Sequence, residues 1–308
     1  MGAAASIWRM FPKSLNKNHE WTRINTNYCL MNHEIGDPSI HVTLENVRDA
    51  FARIGAKPGD VVMFHGSLSS MGTVDGGVTT VYDGVLAATA PHGTVAMPSL
   101  WYDGTKEREN PKLFDVKTSP VYVGALAEGL RLDLRSVRSD HWTHAVGAIG
   151  ERAEELCADH GKFGLRPSPW SDTAFAHSSP WQKLIDWNAL YCFIGVTMRV
   201  CTIKHCIEGM LLEHVLEHVP GNKRLEYRNL QMHDCKKQAY AWPFFDGERL
   251  QRILTDEGAF VTTKLGSATL GGIRTKTLVS RALELIEGDM ESWLNADFIA
   301  WRKKCLNE

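Results

Sequence analysis

Short apolar runs, polar glycine-rich turns and helical patterns alternate along most of this chain. Residues 61–64 form an apolar run that predicts a buried strand, and apolar residues at helical spacing follow over residues 78–89. Residues 94–97 predict the next buried strand, which Pro98 ends. A strand, a loop, a helix and a second strand in this order form the unit from which parallel α/β sheets are assembled.

The same alternation continues on both sides of this unit. A helical spacing covers residues 42–54, where Thr43 is suited to cap the helix, and another covers residues 202–219 after the apolar run 190–196. An amphipathic pattern over residues 277–294 predicts a helix near the end of the chain. We therefore predict an α/β fold: a three-layer α/β/α sandwich with a mostly parallel central sheet and a small C-terminal annex.

The pattern also suggests how the chain is divided. Residues 1–40 lack a clear period and are predicted to form an N-terminal arm, whereas residues 41–220 carry the α/β core with the candidate chemistry. Residues 221–276 are more polar and predict a mixed annex. Residues 277–308 are expected to form a C-terminal helix that packs on the core.

Composition narrows the class of protein. The chain has 308 residues, of which 44% are hydrophobic and 23% charged, as is typical of a globular protein with a full core. Its formal net charge is −2, and no stripe of Lys and Arg with interleaved aromatic residues is present, so we predict no nucleic-acid partner. Seven scattered cysteines without a CxxC pair predict reduced thiols and a cytoplasmic location.

Only one feature suggests a membrane. No apolar run approaches the length of a membrane span. The first six residues, however, fit the N-myristoylation pattern M-G-x-x-x-[ST], with Gly2 as the acceptor. We therefore expect no membrane contact unless Gly2 is modified. The sequence is compatible with a homodimer and does not determine the oligomeric state.

The loop after the first predicted strand carries hydroxyls and glycines. Gly76 and Gly77 lie at the start of the following helix, where unpaired N–H groups and the helix dipole favour an anion such as a phosphate. The spacing matches neither GxGxxG nor GxxxxGK[ST]. On spacing alone, a structural turn fits equally well.

Two groups of histidines lie where predicted strands meet their loops. His141 and His144 precede one strand, and His205 and Glu208 share one face of the helix that follows another. A histidine beside a carboxylate is suited to act as a general base near neutral pH. From spacing alone, a hydrogen-bonded core histidine is the favoured interpretation of any one of them.

The same helix contains a zinc-like pattern. His214, Glu217 and His218 match H-x-x-E-H, in which two histidines lie on one face and can bind zinc. A third ligand at a convincing spacing is missing downstream. A solvated helix face is therefore favoured, and a zinc hydrolase is kept only as a remote alternative.

Short residue groups between about residues 43 and 224 follow one another in the order of a known family. They are His65-Gly66-Ser67-Leu68-Ser69-Ser70-Met71-Gly72, Gly76-Gly77, Gly93-Thr94, Met97-Pro98, Phe114-Asp115, Thr118-Ser119-Pro120, Gly124-Ala125, Glu128, Arg138-Ser139-Asp140-His141, Gly150, Ser179-Pro180, Gly195-Val196 and Thr202-Ile203-Lys204-His205-Cys206-Ile207-Glu208. In this order the sequence resembles the aminoglycoside N3-acetyltransferase family, whose fold differs from that of the GNAT acetyltransferases.

The resemblance implies an acetyl-CoA-dependent acyltransferase without a metal cofactor. Coenzyme A (CoA) would be held at its pantetheine and pyrophosphate by the loop and the helix start. The residues implied in this binding are His65, Gly66, Ser67, Leu68, Ser69, Ser70, Gly72, Gly76 and Gly77.

The resemblance also implies the catalytic groups. His141 becomes the leading candidate for the general base, while Glu208 is expected to pair with a histidine such as His205 or to bind the amine. Thr118 would lie beside the thioester as an oxyanion donor. The amine would then attack the thioester directly, without a covalent enzyme intermediate.

The acceptor is expected to be the 3-amino group of an aminoglycoside. A polycation needs carboxylates in its cleft, and Asp103, Asp115 and Asp172 are the candidates beside Glu208. Trp142 stands where the family usually has proline, so a different amine, such as a metabolite or natural product, is the alternative acceptor.

Overall fold

The computed structural model describes residues 34–101, 113–238 and 241–307, and for residues 232–238 it describes the backbone only. Gly2, Asp103 and most of the predicted N-terminal arm therefore lie outside the described residues. The predictions made for them stay predictions.

A seven-stranded sheet in the order β5-β6-β4-β2-β7-β9-β8 forms the centre of the fold, and β1 and β3 pair separately. The strands are β1 (His41–Val42), β2 (Val61–Gly66), β3 (Thr73–Val74), β4 (Thr94–Pro98), β5 (Val137–Arg138), β6 (Val146–Gly150), β7 (Leu190–Ile194), β8 (Val261–Leu265) and β9 (Ala268–Arg274). The strands predicted over residues 61–64, 94–97 and 190–196 are thus confirmed as β2, β4 and β7.

The direction of the strands differs from the prediction. Strand β2 pairs in parallel with both β4 and β7, whereas β4–β6, β5–β6, β7–β9 and β8–β9 are antiparallel pairs. The prediction of a mostly parallel sheet is therefore wrong. The connections between strands explain part of the difference. Only Gly266 and Ser267 separate β8 from β9, and so short a connection permits only an antiparallel pair.

Helices cover both faces of the sheet. They are α1 (Leu44–Arg53), α2 (Val78–Ala88), α3 (Ala125–Leu132), α4 (Ala153–Cys157), α5 (Pro180–Asp186), α6 (Ile203–Glu217), α7 (Gly221–Gln238), α8 (Gly247–Asp256), α9 (Thr275–Gly288), α10 (Met290–Trp293) and α11 (Ala296–Leu306). Helix α1 begins after Thr43, whose hydroxyl accepts the N–H of Asn46, so the predicted cap is confirmed.

Alternate residues of the strands pack against different helices. Val61 and Met63 of β2 belong to one apolar cluster with residues of α4–α6 and α8–α11, while Val62 and Phe64 belong to another with residues of α1–α3. This alternation is expected for a strand that is buried on both sides. The two clusters hold the three layers together.

Residues 221–276 do not form a separate annex. Strand β9 pairs with β7 along five residues, so β8 and β9 extend the main sheet. Helix α8 packs into the same apolar cluster as α6 through Leu250 and Leu254. Much of the polar composition that suggested an annex belongs to α7, whose residues 221–226 are exposed.

One edge of the sheet collects the candidate site residues. The carboxyl ends of β2, β4 and β7 lie at this edge, and so does the start of β6, because Pro98 is paired with Val146. Helix α2 leaves β2 over one face, whereas α6 leaves β7 over the other. A ligand-binding crevice is expected where neighbouring strands send their helices to opposite faces.

The close packing of α1 on α2 depends on Gly84. A Cβ atom at this position would lie 2.5 Å from the Cβ of Val47. We predict that Gly84→Ala lowers the free energy of unfolding by about 1–3 kcal/mol, because the helices must move apart. Urea denaturation measures the change.

Gly288→Ala is the matched control, since Gly288 is also helical and nothing lies within 4 Å of its Cβ position. This control is expected to gain up to about 1 kcal/mol from helix propensity. Equal stabilisation of both variants would contradict the packing account.

Candidate active site

The first two turns of α6 hold a histidine–carboxylate pair. His205 Nδ1 lies 2.7 Å from Glu208 Oε2, and the Trp242 indole N–H donates to the same oxygen at 2.7 Å. Glu208 is fully buried, and the His205 side chain is 11% exposed. A carboxylate only accepts hydrogen bonds, so His205 carries its proton on Nδ1 and keeps a lone pair on Nε2. No hydrogen bond from the described residues engages that Nε2.

Aromatic rings surround His205. The Trp170 ring lies 4.3 Å from the imidazole ring, centroid to centroid, and the His144 ring lies 6.3 Å away at nearly a right angle. Phe175 and Phe244 each lie 6.1 Å away. These rings exclude water from most of the imidazole and leave a small part of it exposed.

His141 is placed differently. Its Nδ1 accepts the backbone N–H groups of Thr143 at 3.2 Å and His144 at 3.0 Å, so Nε2 carries the proton and donates to Thr173 Oγ1 at 3.0 Å. The side chain is buried, and burial together with the nearby His160 holds the pKa of His141 well below its usual range. Both ring nitrogens of His141 are therefore used within the protein.

Two further histidines complete a neutral cluster. The His160 ring stacks on His141 with 4.5 Å between centroids, and burial lowers the pKa of His160 to about 4. His144 Nδ1 lies 2.9 Å from Thr143 Oγ1. Burial, followed by the neighbouring histidines, holds the pKa of His144 well below its usual range. The cluster therefore carries no positive charge from these three rings at neutral pH.

The strand end that begins the predicted CoA loop faces inward. His65 Nε2 lies 2.7 Å from the Tyr191 hydroxyl, and its ring stacks on Phe193 with 5.7 Å between centroids. Burial lowers the pKa of His65 to about 3. Gly66 ends β2 beside α3, because a Cβ there would lie 3.1 Å from a methyl carbon of Leu126.

The hydroxyls of the loop are partly used by the loop itself. Ser70 Oγ donates to the carbonyl of Ser67 at 2.7 Å, and the hydroxyls of Ser67 and Ser69 lie 3.2 Å apart. Leu68 and Ser69 remain accessible on a short 3₁₀ turn. Gly72 lets the loop pass close to the backbone of Ile40, since a Cβ at residue 72 would lie 2.5 Å from the carbonyl oxygen of Ile40.

Two helices begin at this edge without a side-chain cap. Gly77 precedes α2 with φ at +70°, and Gly76 before it has φ at +84°. Gly124 precedes α3 in the same way. Nothing lies within 4 Å of the Cβ positions of Gly77 and Gly124, so there is open space beside both glycines. Uncapped helix starts of this kind are suited to bind an anion.

Thr118 and Asp115 form a turn of their own. Asp115 Oδ1 accepts from the Thr118 hydroxyl at 2.8 Å and from the N–H groups of Lys117 and Thr118. These bonds, the Thr118 hydroxyl first, lower the pKa of Asp115. No hydrogen bond of the described residues links this turn to His205 or to His141.

Asp172 lies on a cleft beside the aromatic cluster. The cleft has a volume of about 300 Å³ and is lined by Ser168, Pro169, Trp170, Ser171, Asp172, Arg228 and Asn229. Asp172 forms an ion pair with Arg228. Trp170 belongs to both the cleft and the surroundings of His205, so it joins the two.

Several site residues were not predicted from the sequence. Trp170 and Thr173 lie in a stretch rich in Pro, Ser and Trp for which no element was predicted, and Trp242 lies in the predicted annex. The available signal was the presence of large aromatic residues among small polar ones. Such a signal does not say which polar group each ring contacts.

The zinc-like pattern lies on an exposed face of α6. His214, Glu217 and His218 are exposed, and His218 Nδ1 donates to the carbonyl of His214 at 2.8 Å. Within residues 34–101, 113–231 and 241–307, no group of three or more His, Cys, Asp or Glu side chains could hold a metal ion. Among the residues whose side chains the structure describes, the pattern has no third ligand of the kind that a zinc site needs. No helix among the described residues is long and apolar enough to cross a membrane.

Solved structures share this fold. The apoenzyme of the aminoglycoside acetyltransferase AAC(3)-IVa superposes with a TM-score of 0.62 at 20% identity, covering 85% of this chain and 98% of that protein. AAC-IIIb, solved as a binary complex with CoASH, superposes with a TM-score of 0.58 at 18% identity, covering 80% of this chain and 97% of that one. At these identities the likeness describes the fold.

Sequence comparison defines the family. The family model for aminoglycoside 3-N-acetyltransferases matches residues 63–287, and the chain belongs to this family, as the resemblance implied. Aminoglycoside N(3)-acetyltransferase IX of Micromonospora chalcea is 29% identical over 196 residues, which cover 59% of this chain and 65% of that relative. Enzyme VII of Streptomyces paromomycinus is 26% identical over 239 residues, which cover 71% of this chain and 73% of the relative.

The buried neutral histidines predict a loss of stability in acid. Unfolded His160 binds a proton near pH 6.5, whereas the folded residue does so only near pH 4, so the unfolded state gains protons first as the pH falls. The contribution of His160 to the free energy of unfolding is constant above pH 6.5. As the pH falls from 6.5 to about 4, the free energy of unfolding should decrease by about 1.4 kcal/mol per pH unit from this residue alone.

Urea denaturation at pH 7.5 and pH 5 measures this dependence. His160→Gln should have a shallower pH dependence than the wild type. An unaltered slope in His160→Gln would show that His160 does not stay neutral in the folded protein.

Proposed function

We propose that the protein transfers the acetyl group of acetyl-CoA to the 3-amino group of an aminoglycoside. The observation that carries this proposal is the His205–Glu208 pair, which keeps an unused imidazole nitrogen at the strand edge of a chain belonging to the aminoglycoside 3-N-acetyltransferase family. A positioned imidazole of this kind is suited to accept a proton from an attacking amine.

We assign the general base to His205 rather than to His141. The family resemblance favoured His141, but its Nδ1 lone pair accepts two backbone N–H groups and its Nε2 proton is donated to Thr173. In His205, by contrast, the hydrogen bond to Glu208 places the proton on Nδ1 and leaves Nε2 available. His141 instead fixes the turn that carries His144, which is a positioning role.

Acetyl-CoA would be held at the edge where α2 and α3 begin. The uncapped N–H groups after Gly77 and Gly124 suit its pyrophosphate, and the exposed part of the loop at Leu68 and Ser69 offers a surface for pantetheine. AAC-IIIb, which has the same fold, was solved in complex with CoASH, and this supports CoA as a ligand of the fold. His65 would support the loop rather than contact CoA, because its Nε2 is hydrogen-bonded to the Tyr191 hydroxyl.

The reaction balances without a further reactant. The amine nitrogen attacks the thioester carbonyl carbon, a C–N bond forms and the C–S bond breaks. His205 Nε2 accepts the proton that the amine loses, and this proton then passes to the sulfur of the leaving thiolate, giving the acetamide and free CoA. Glu208 stabilises the charged imidazole between these events. Thr118 has no part in this scheme, because its hydroxyl donates to Asp115.

The cleft beside Trp170 is the proposed acceptor site. Its tryptophan, hydroxyls and amide suit a ring that carries hydroxyl groups, such as an amino sugar. One observation favours a second candidate: Asp172 is already paired with Arg228, so these two residues offer a polycation no net negative charge. Acylation of a less charged amine is therefore the alternative function. Zinc-dependent hydrolysis has no support from the arrangement of His214, Glu217 and His218.

The proposal is tested by measuring thiol release from acetyl-CoA with a panel of aminoglycosides and simple monoamines. The wild type should acetylate aminoglycosides, whereas preference for monoamines would select the alternative function. His205→Gln should lower kcat by about 10²- to 10⁴-fold, the range expected for loss of a general base. His141→Gln should lower it much less.

Calorimetric titration with CoA is the control for these variants. Both should bind CoA nearly as well as the wild type, because neither ring is proposed to contact the nucleotide. A near-normal kcat in His205→Gln, together with loss of activity in His141→Gln, would return the base to His141. No thiol release with any amine would exclude the proposed function.

The CoA site generates a separate prediction at Gly77. Gly77→Val places a branched side chain at φ +70° in the open space before α2, so CoA should bind at least tenfold more weakly. Calorimetry of the purified variant measures the dissociation constant.

Gly258→Val is the matched control, since Gly258 has φ at +72° and an equally open Cβ position after α8. It should suffer the same backbone strain but keep the CoA affinity of the wild type. Equal affinities of all three proteins would remove the start of α2 from the CoA site.

A further inference from the structure

Trp242 contacts the catalytic carboxylate from outside α6. Its side chain is fully buried, and its indole N–H donates to Glu208 Oε2 at 2.7 Å. His205 Nδ1 uses the same oxygen at the same distance. Two donors, one from the catalytic histidine and one from Trp242, therefore converge on a single carboxylate oxygen.

The other oxygen of Glu208, Oε1, is buried and has no hydrogen bond with any part of the chain that the structure describes. Among these residues, the hydrogen bonds that orient the carboxyl group are therefore those to Oε2. If the indole N–H is removed, one hydrogen bond to His205 remains to hold a buried charged group, and its orientation is less well defined.

The position of Trp242 is set by distant elements. Asn295, which caps α11, donates from Nδ2 to the carbonyl of Trp242 at 2.7 Å. Gln231 of α7 donates from Nε2 to the carbonyl of Ala241 at 3.0 Å. The chain between α7 and α8 is therefore held on both sides, and the indole is presented to α6 by the C-terminal part of the fold.

We propose that Trp242 is a positioning residue for acetyl transfer: its indole N–H fixes Glu208 so that His205 holds its proton on Nδ1 and presents Nε2 to the acceptor amine. The inference rests on the proposed function for its kinetic consequence. An indole N–H can only donate, so it keeps Oε2 as an acceptor for His205 as well.

Trp181 provides a matched comparison within the same apolar cluster. It is also fully buried, and its indole N–H donates to the backbone carbonyl of His144 at 2.9 Å. Changing either tryptophan to phenylalanine deletes one buried indole hydrogen bond and leaves a six-membered ring. Only Trp242→Phe removes a donor from Glu208.

The kinetic test compares Trp242→Phe with Trp181→Phe in the full chain. Trp242→Phe should lower kcat by about 10- to 100-fold, as loss of a hydrogen bond to a charged group does, with KM for acetyl-CoA within twofold of the wild type. Trp181→Phe should lose comparable thermal stability but keep kcat within about threefold. Equal losses of kcat in both variants, or no loss in Trp242→Phe, would overturn the proposal.

A spectroscopic test needs no activity. In ¹⁵N-histidine spectra, the signals absent from His205→Gln identify His205, and the wild type should show the Nδ1–H tautomer. Trp242→Phe should show a mixture of both tautomers, whereas Trp181→Phe should match the wild type. An unchanged tautomer in Trp242→Phe would contradict the positioning role.

Glu208→Gln supplies a measurement that is independent of whether Trp242→Phe folds. One of the ten indole N–H signals should move in a ¹⁵N-tryptophan spectrum, because the donor then meets a neutral amide instead of a carboxylate. If no indole signal moves, the hydrogen bond proposed to position Glu208 is not present. If the wild type fails to release thiol but both spectra agree, the proposed function fails while the positioning of Glu208 stands.

Discussion

The hydrogen bond between His205 and Glu208 is the interaction on which the proposed chemistry of this site depends. A fully buried carboxylate is stable only when hydrogen-bond donors surround it, and here the donors are His205 and Trp242. The same bond determines which imidazole nitrogen is free. The proton on Nδ1 stabilises the carboxylate, and the lone pair on Nε2 is left for the amine of the proposed reaction. Folding stability and the proposed catalysis therefore share one contact.

The sheet brings this contact to the proposed CoA site. Strand β2 lies between two parallel neighbours, so the loop after β2 and the start of α6 after β7 lie at the same edge. Tyr191 connects the two, since its hydroxyl contacts His65 and accepts the N–H of Ile203 at 3.3 Å. The antiparallel strands at both sides widen the sheet. Trp242 and Phe245 pack in the same apolar cluster as α6.

Much of the core could be predicted from apolar spacing, because strands buried on both faces and amphipathic helices have distinct periods. Strands β2, β4 and β7 and the Thr43 cap are examples. Strand direction was not predictable from apolar spacing, since β9 would have the same apolar pattern in either direction. The short turn at Gly266 determines its direction relative to β8. The general base was ambiguous for a related reason. His141 and His205 both match family motifs, and only their hydrogen bonds distinguish a histidine that fixes a turn from one with a free nitrogen. Trp242 lacks any local pattern that would connect it with Glu208.

The most direct test of the central claim is a crystal structure of the complex with CoA and an aminoglycoside. The account predicts the acceptor amine within hydrogen-bond distance of His205 Nε2, about 2.6–3.2 Å, with the CoA sulfur beside it. It also predicts that His141 keeps its backbone contacts. An amine and a sulfur that meet beside His141, with His205 remote from both, would contradict the account.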